Sequence, residues 1–138
     1  MGIRLIFLSL FILPFFASGQ KLVDDIKKKY FGGYEGLISA YKLDTGSELI
    51  DVQETPIFIL LSEDAVILEI GNNKISGTYT VLFEGDDYYV LNATIEGQLQ
   101  SERIVVHQKG KTLTREGIHP QPNAVLEKLS RKELKNRL

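Results

Sequence analysis

Between residues 57 and 116 the chain is a succession of short apolar or alternating segments, which are joined by connections of only two or three residues. A crossover between parallel strands needs about a dozen residues or more, so segments joined this closely must pair as antiparallel neighbours. The pattern therefore predicts an up-and-down β-meander. Its five connections are Glu63-Asp64, Gly71-Asn72-Asn73, Gly85-Asp86, Glu96-Gly97-Gln98 and Lys109-Gly110.

The clearest hairpin joins residues 74–84 to residues 87–95. Apolar residues occupy alternate positions in both segments, which places one side of the sheet in a core and the other nearer water. The loop between them is Gly85-Asp86, and glycine at the first of two loop positions is typical of a type II′ turn.

Two further segments, 34–43 and 48–53, precede the meander and bring the total to about eight strands. Eight antiparallel strands can close into a barrel, which removes exposed edges. An open sheet rolled around terminal helices is the alternative. We expect an all-β fold with flanking helices, built on an antiparallel up-and-down meander that closes as a barrel.

The flanking helices are predicted at the two ends of the chain. Residues 21–31 have amphipathic spacing, and Gly32-Gly33 follows them as a helix end. Pro120 and Pro122 prevent the sheet from continuing. Asn123 then serves as an N-cap for a final helix over residues 124–137.

Residues 1–19 have the order of a signal peptide. Arg4 precedes an apolar run, and Ala17-Ser18-Gly19 supplies small residues for cleavage before Gln20. An uncleaved N-terminal anchor is the alternative, but the run is shorter than the roughly 20 residues of a membrane span. We expect export to the periplasm or medium, with residues 20–138 forming one domain that has no transmembrane span.

Composition and motifs argue against several classes of function. A formal net charge of −2 gives no polycation for nucleic acid, and the chain has no cysteine. The sequence contains no nucleophile motif and no phosphate-binding loop. The two histidines, His107 and His119, lack metal-ligand spacing, and we expect no metal and no cofactor. We predict a protein that is not an enzyme; a barrel-mouth hydrolase using Arg103, Glu116 or His119 stays as a minor alternative.

One family resemblance follows from the order of these elements. Gly32-Gly33-Tyr34 leads from a predicted helix into the first strand, and Arg115 lies near the end of the last meander strand. This arrangement resembles the lipocalin-like (calycin) family, as does the segment 75–81, which is similar to a strand of small exported bacterial members. In that family a tryptophan stands where Tyr34 is found, and an arginine packs across its ring. The resemblance implies structural roles for Gly32, Tyr34 and Arg115, and a cup-shaped barrel for a small apolar molecule.

Two functions remain open at this point. The first is an exported binding protein that holds a small apolar ligand inside its barrel. The second is an envelope interaction or structural module with a filled core, which docks a protein partner through its C-terminal helix or an edge strand. For the first, the predicted cavity-lining residues are Tyr41, Ile59, Tyr79, Val81, Tyr89 and Leu91.

Overall fold

The computed structural model describes residues 26–138 of the chain. These residues form ten β-strands and one α-helix. The strands are β1 (Gly32–Ile38), β2 (Tyr41–Asp44), β3 (Leu49–Val52), β4 (Thr55–Leu61), β5 (Val66–Ile70), β6 (Asn73–Glu84), β7 (Tyr89–Ile95), β8 (Glu102–His107), β9 (Thr112–Arg115) and β10 (Ala124–Lys128). The helix is α1 (Arg131–Arg137), and short 3₁₀ turns lie at Lys28–Tyr30 and Gln108–Gly110.

Eight of the strands form a closed antiparallel barrel in the order β1-β10-β9-β8-β7-β6-β5-β4. From β4 to β9 each strand pairs with the next one along the chain, so the predicted meander is confirmed. The barrel closes where β1 pairs with β4, from the Gly32–Leu61 pair to the Ile38–Thr55 pair. The predicted fold class, an all-β barrel of eight strands with a C-terminal helix, is therefore confirmed.

The second half of one predicted barrel strand and the whole of another are not in the barrel. The predicted strand 34–43 ends at Ile38, and its continuation β2 pairs with β3, in the region predicted as strand 48–53. In the described residues these two strands form a separate two-stranded sheet. The physical reason is that β1 already has a neighbour on each side, β4 and β10, so the barrel has no edge left for β2.

The predicted helix over residues 124–137 is wrong in its first half. Ala124–Lys128 is the strand β10, whose alternation buries Ala124 and Leu126 in the barrel while Val125 and Glu127 face outward. The helix begins only at Arg131, with Ser130 as its N-cap. Asn123, the predicted cap, instead accepts a hydrogen bond from the backbone N–H of Gly117. Residues 124–128 form a strand because they pair with β1 on one side and with β9 on the other, which satisfies their backbone hydrogen-bonding groups.

The N-terminal predictions fall mostly on residues 1–25, which lie outside the described residues. The signal peptide and most of the predicted helix 21–31 therefore stay predictions. The described part of that helix is the 3₁₀ turn Lys28–Tyr30, and Gly32 is the first residue of β1 rather than a helix end. Within residues 26–138, no helix is both long enough and apolar enough to cross a membrane.

Candidate functional site

Four of the predicted cavity-lining residues meet inside the barrel. Ile59 and Leu91 are 0% exposed, Tyr89 is 2% exposed and Val81 is 8% exposed. A side chain that borders a water-sized void keeps accessible surface, so these values leave almost no such space beside the four residues. They are packed within the hydrophobic core of the described barrel. No ligand contact tests the binding role, which stays a prediction.

Tyr79, on β6, contacts the turn between β4 and β5. Its hydroxyl donates to the backbone carbonyl of Ser62 at 2.6 Å and lies 2.8 Å from that of Glu63. Burial, together with the carboxylates of Asp64 and Glu63, raises the pKa of Tyr79 to about 12. The hydroxyl is therefore neutral at physiological pH and acts as a fixed donor to the turn.

Tyr41, the remaining predicted lining residue, is in the β2–β3 hairpin and not in the barrel wall. It is half-buried and packs against the edge of the core. The structure thus brings Ile59, Val81, Tyr89 and Leu91 into one interior, and places Tyr41 at its margin.

Three tyrosines close one end of the barrel. The hydroxyl of Tyr34 donates to the carbonyl of Tyr30 at 2.7 Å and lies 3.1 Å from that of Gly110. The rings of Tyr30 and Tyr89 meet edge to face, with centroids 4.8 Å apart. Burial raises the pKa of Tyr34 far above its ordinary value, with a smaller contribution from Tyr30. These contacts pin the 3₁₀ turn Lys28–Tyr30 and the β8–β9 turn to the barrel end.

The structural role of Gly32 follows from the same region. Its φ of +140° lies in a region that residues with a Cβ rarely adopt, and a Cβ there would meet the side chain of Lys128 at 2.9 Å. Glycine at this position lets the chain turn from the 3₁₀ segment into β1.

The resemblance implied that Arg115 packs across the ring of Tyr34, but the structure places the two side chains apart. Arg115 is opposite Ala124 on β10, whereas Tyr34 is opposite Lys128. Four residues along a strand are about 13 Å, which separates the two side chains along the barrel. The expected arginine–aromatic contact is therefore wrong for this chain.

Arg115 instead forms a buried ion pair inside the barrel. Its Nη2 donates to Oε1 of Glu102 at 2.7 Å, and its Nε donates to Oε2 at 3.1 Å. The two side chains are 3% and 0% exposed. A third contact runs from Nη1 of Arg115 to Oε1 of Gln121, in the β9–β10 loop. The cluster ties β8, β9 and this loop together by charge-assisted hydrogen bonds.

Sequence reasoning missed Glu102, although a signal for it was present. Alternation along β8 places Glu102 on the same face as Ile104 and Val106, and alternation along β9 places Arg115 with Leu113. A charged side chain in an interior position needs an opposite charge beside it. Glu102 and Arg115 are the charged residues at these interior positions, so each one predicts the other as its partner.

The two histidines lie in different surroundings. The ring of His107 is within hydrogen-bond distance of the hydroxyls of Thr112 and Thr114. Arg103 and Glu116 approach to 4.0 Å in an exposed ion pair, and His119 lies on an exposed loop. Within residues 26–138, no group of three or more His, Cys, Asp or Glu side chains is placed to hold a metal ion.

The C-terminal helix is engaged with its own barrel. A side chain of Leu134 lies over Gly33 and beside Phe58 on the outer face. Arg137 stacks its guanidinium 4.1 Å from the centroid of Phe58 and donates to Glu35 at 2.7 Å. Arg137 also lies 3.8 Å from Glu69, so α1 contacts β1, β4 and β5 through Leu134 and Arg137, while its other residues are exposed.

The β2–β3 hairpin, residues 41–52, is a surface that combines exposed apolar side chains with unpaired strand edges; we call it the arm. Register places Leu43 opposite Ile50 and Tyr41 opposite Val52, so one face of the arm is entirely apolar. At its outer end Leu43 is 37% exposed and Ile50 is 40% exposed, and Leu49 on the other face is 64% exposed. Among the described strands, β2 and β3 pair only with each other, so each has an unpaired edge.

These features define the class of protein: a small all-β protein with a closed, filled eight-stranded barrel and a projecting two-stranded arm. The barrel is consistent with the calycin-like arrangement. No protein-family model, curated protein or solved structure matches the chain. The architecture is thus established by the strand pairing alone.

Proposed function

We propose that the protein is a non-enzymatic interaction module, which docks a protein partner through the arm while its barrel serves as a rigid filled base. The observation that carries this proposal is a filled barrel interior together with an arm that has both exposed apolar side chains and unpaired strand edges. Ile59 and Leu91 in the interior are 0% exposed, whereas Leu49 and Ile50 on the arm are 64% and 40% exposed. Large exposed apolar side chains next to unpaired strand edges are typical of an interaction surface.

Retention of a small apolar ligand inside the barrel is supported less well. Sites for such ligands are clefts or cavities of about 300 Å³ or more. A ligand of that size would have to displace side chains such as Tyr89 and Leu91, which are at most 2% exposed. We further propose that the protein acts after export, because residues 1–19 have the order of a cleaved signal peptide.

Site-specific photo-crosslinking in the cells that produce the protein tests docking through the arm. A photoreactive residue in place of Leu49 is expected to crosslink one protein species. The same residue in place of Thr80, on the exposed outer face of β6, is the matched control and should not crosslink that species. Equal crosslinking at both positions, or none at Leu49, contradicts the proposal.

Two serine variants separate docking from folding. The double variant Leu43→Ser/Ile50→Ser is expected to abolish the crosslink formed at position 49. Its urea midpoint should stay near that of the parent protein, because surface substitutions usually change stability by no more than about 0.5 kcal/mol. Leu82→Ser, at a 51% exposed position on β6, should leave the crosslink intact. Native mass spectrometry of the purified protein completes the test, since a stoichiometric small molecule in the barrel would favour the ligand-binding function.

A further inference from the structure

The arm carries a strong excess of negative charge. Residues 41–52 contain one basic residue, Lys42, against three acidic residues, which are Asp44, Glu48 and Asp51. Residues 26–138 as a whole contain basic and acidic residues in nearly equal numbers, so the imbalance is local. A surface of this sign attracts a cationic partner and repels an acidic one.

The charges and the apolar residues of the arm lie on different faces. Tyr41, Leu43, Ile50 and Val52 share one face, and the register places Lys42 opposite Asp51 and Asp44 opposite Leu49 on the other. A strand added to either edge continues both faces of the sheet, because its side chains alternate in the same way. Its alternate residues would then meet apolar side chains on one face and, on the other, a face in which two of the four residues are carboxylates, Asp44 and Asp51.

A shallow groove at the base of the arm contains both kinds of group. Its volume is about 240 Å³, and it is lined by Ala40, Tyr41, Lys42, Asp51, Val52 and Gln53. It offers space for a side chain of a docked segment beside an apolar wall and a carboxylate.

We propose that the partner contributes an extended segment in which apolar residues alternate with lysine or arginine, and that this segment adds to the arm as a third strand. The inference rests on the proposed function and specifies the chemistry of the partner. Backbone hydrogen bonds to the unpaired edge supply affinity, and alternating side chains supply specificity. Other exposed apolar residues, such as Leu82 and Phe83, lie on β6, whose edges are both paired within the barrel.

The charge of the arm disfavours two other occupants. A second copy of the chain docked arm to arm would form a two-fold contact between two surfaces that carry the same net negative charge. A membrane surface with anionic lipids would repel the carboxylates of the arm. A cationic strand has neither disadvantage.

Synthetic peptides test the inference on the full chain. The test peptide alternates valine with lysine over ten residues, and one control peptide carries glutamate in place of every lysine. A second control has the same composition as the test peptide, with its valines and lysines in two blocks. Fluorescence anisotropy is expected to show binding of the alternating valine–lysine peptide alone, and hydrogen exchange should show new protection of backbone amides in β2 or β3.

Matched charge variants locate the binding. Asp44→Asn/Asp51→Asn is expected to weaken binding of the test peptide about tenfold, because two exposed charge–charge attractions are lost. Asp86→Asn/Asp87→Asn removes the same charge at the β6–β7 turn and should leave binding unchanged. Equal effects of the two double variants would overturn the inference.

The outcomes distinguish this inference from the proposed function. Equal binding of the alternating and block peptides, or stronger binding of the glutamate peptide, overturns the inference that the partner adds a cationic strand. Crosslinking at Leu49 would in that case still support docking through the arm. Sedimentation that shows a dimer lost in Ile50→Asp assigns the arm to a second copy. Sedimentation with vesicles of anionic lipid assigns it to a membrane surface. Either result overturns the inference, and loss of the crosslink at Leu49 removes both proposals.

Discussion

Removing one partner of the buried Glu102–Arg115 pair is expected to destabilise the barrel severely. In Glu102→Leu the guanidinium of Arg115, whose side chain is 3% exposed, loses both its 2.7 Å and its 3.1 Å hydrogen bond to the carboxylate. An uncompensated charge in such a position typically costs about 3–5 kcal/mol. The free energy of unfolding of a domain is only about 5–15 kcal/mol, so the variant should lose about a fifth of its stability or more.

A second substitution converts this experiment into a test of the cause. The double variant Glu102→Leu/Arg115→Met removes both charges and fills their space with apolar side chains. Its free energy of unfolding should recover to within about 2 kcal/mol of the parent protein, because replacing a complete buried ion pair is often neutral. Part of the remaining deficit comes from Gln121, whose side-chain oxygen loses its donor.

The exposed Arg103–Glu116 pair is the matched control. It joins the same residue types at 4.0 Å, but its side chains are 56% and 44% exposed. Arg103→Met should therefore change stability by less than about 1 kcal/mol. Urea unfolding of all variants at pH 7 provides the measurement. A loss below 1 kcal/mol in Glu102→Leu, or a double variant no more stable than either single variant, would refute the argument.

Two further predictions concern the barrel wall. Tyr79 has a pKa of about 12 in the folded protein against 10 for an ordinary tyrosine, so its contribution to stability is present below pH 10 and is lost as the pH rises towards 12. Urea unfolding should accordingly show a smaller decline over this range in Tyr79→Phe than in the parent protein, and identical declines would contradict the assignment. In Gly36→Ala a Cβ would lie 2.6 Å from the carbonyl oxygen of Val125, so β10 must move away from β1, at a cost of about 1–3 kcal/mol in urea unfolding. Unchanged stability in this variant would contradict the close approach of β10 to β1 at Gly36.

Some of the fold follows from local signals alone. The chain reverses at Gly71, with φ of +58°, and between Gly85 and Tyr88, where the N–H of Gly85 donates to the carbonyl of Tyr88 at 2.9 Å. The predicted two-residue type II′ turn at Gly85-Asp86 is wrong, because Gly85 does not have the positive φ that this turn requires. Short connections of this kind force each strand from β4 to β9 to pair with the next, whatever the rest of the chain does. These elements were predictable because the constraint is covalent and acts over a few residues.

The candidate sites were predictable only in part, and for the same reason. Alternation correctly assigns Leu91 to the interior, because period two is a local property of a strand. Alternation does not say whether the interior is hollow or filled, since this depends on side chains from all eight strands at once. The exposure of the arm was equally beyond local reasoning, because residues 41–52 carry as regular a strand pattern as the barrel strands.

The sequence by itself determined the order of the strands from β4 to β9 and the alternation that buries residues such as Leu91 and Ala93, because these depend on bonds and neighbours close along the chain. Only the tertiary structure decided which strand closes the barrel, since Ala124–Lys128 becomes a strand by pairing with β1, which is distant in sequence, and with β9. That long-range pairing also decides that β2 and β3 leave the barrel as the arm. The physical reason is that a strand forms only with a partner, and the partner of a closing strand is chosen by the whole barrel.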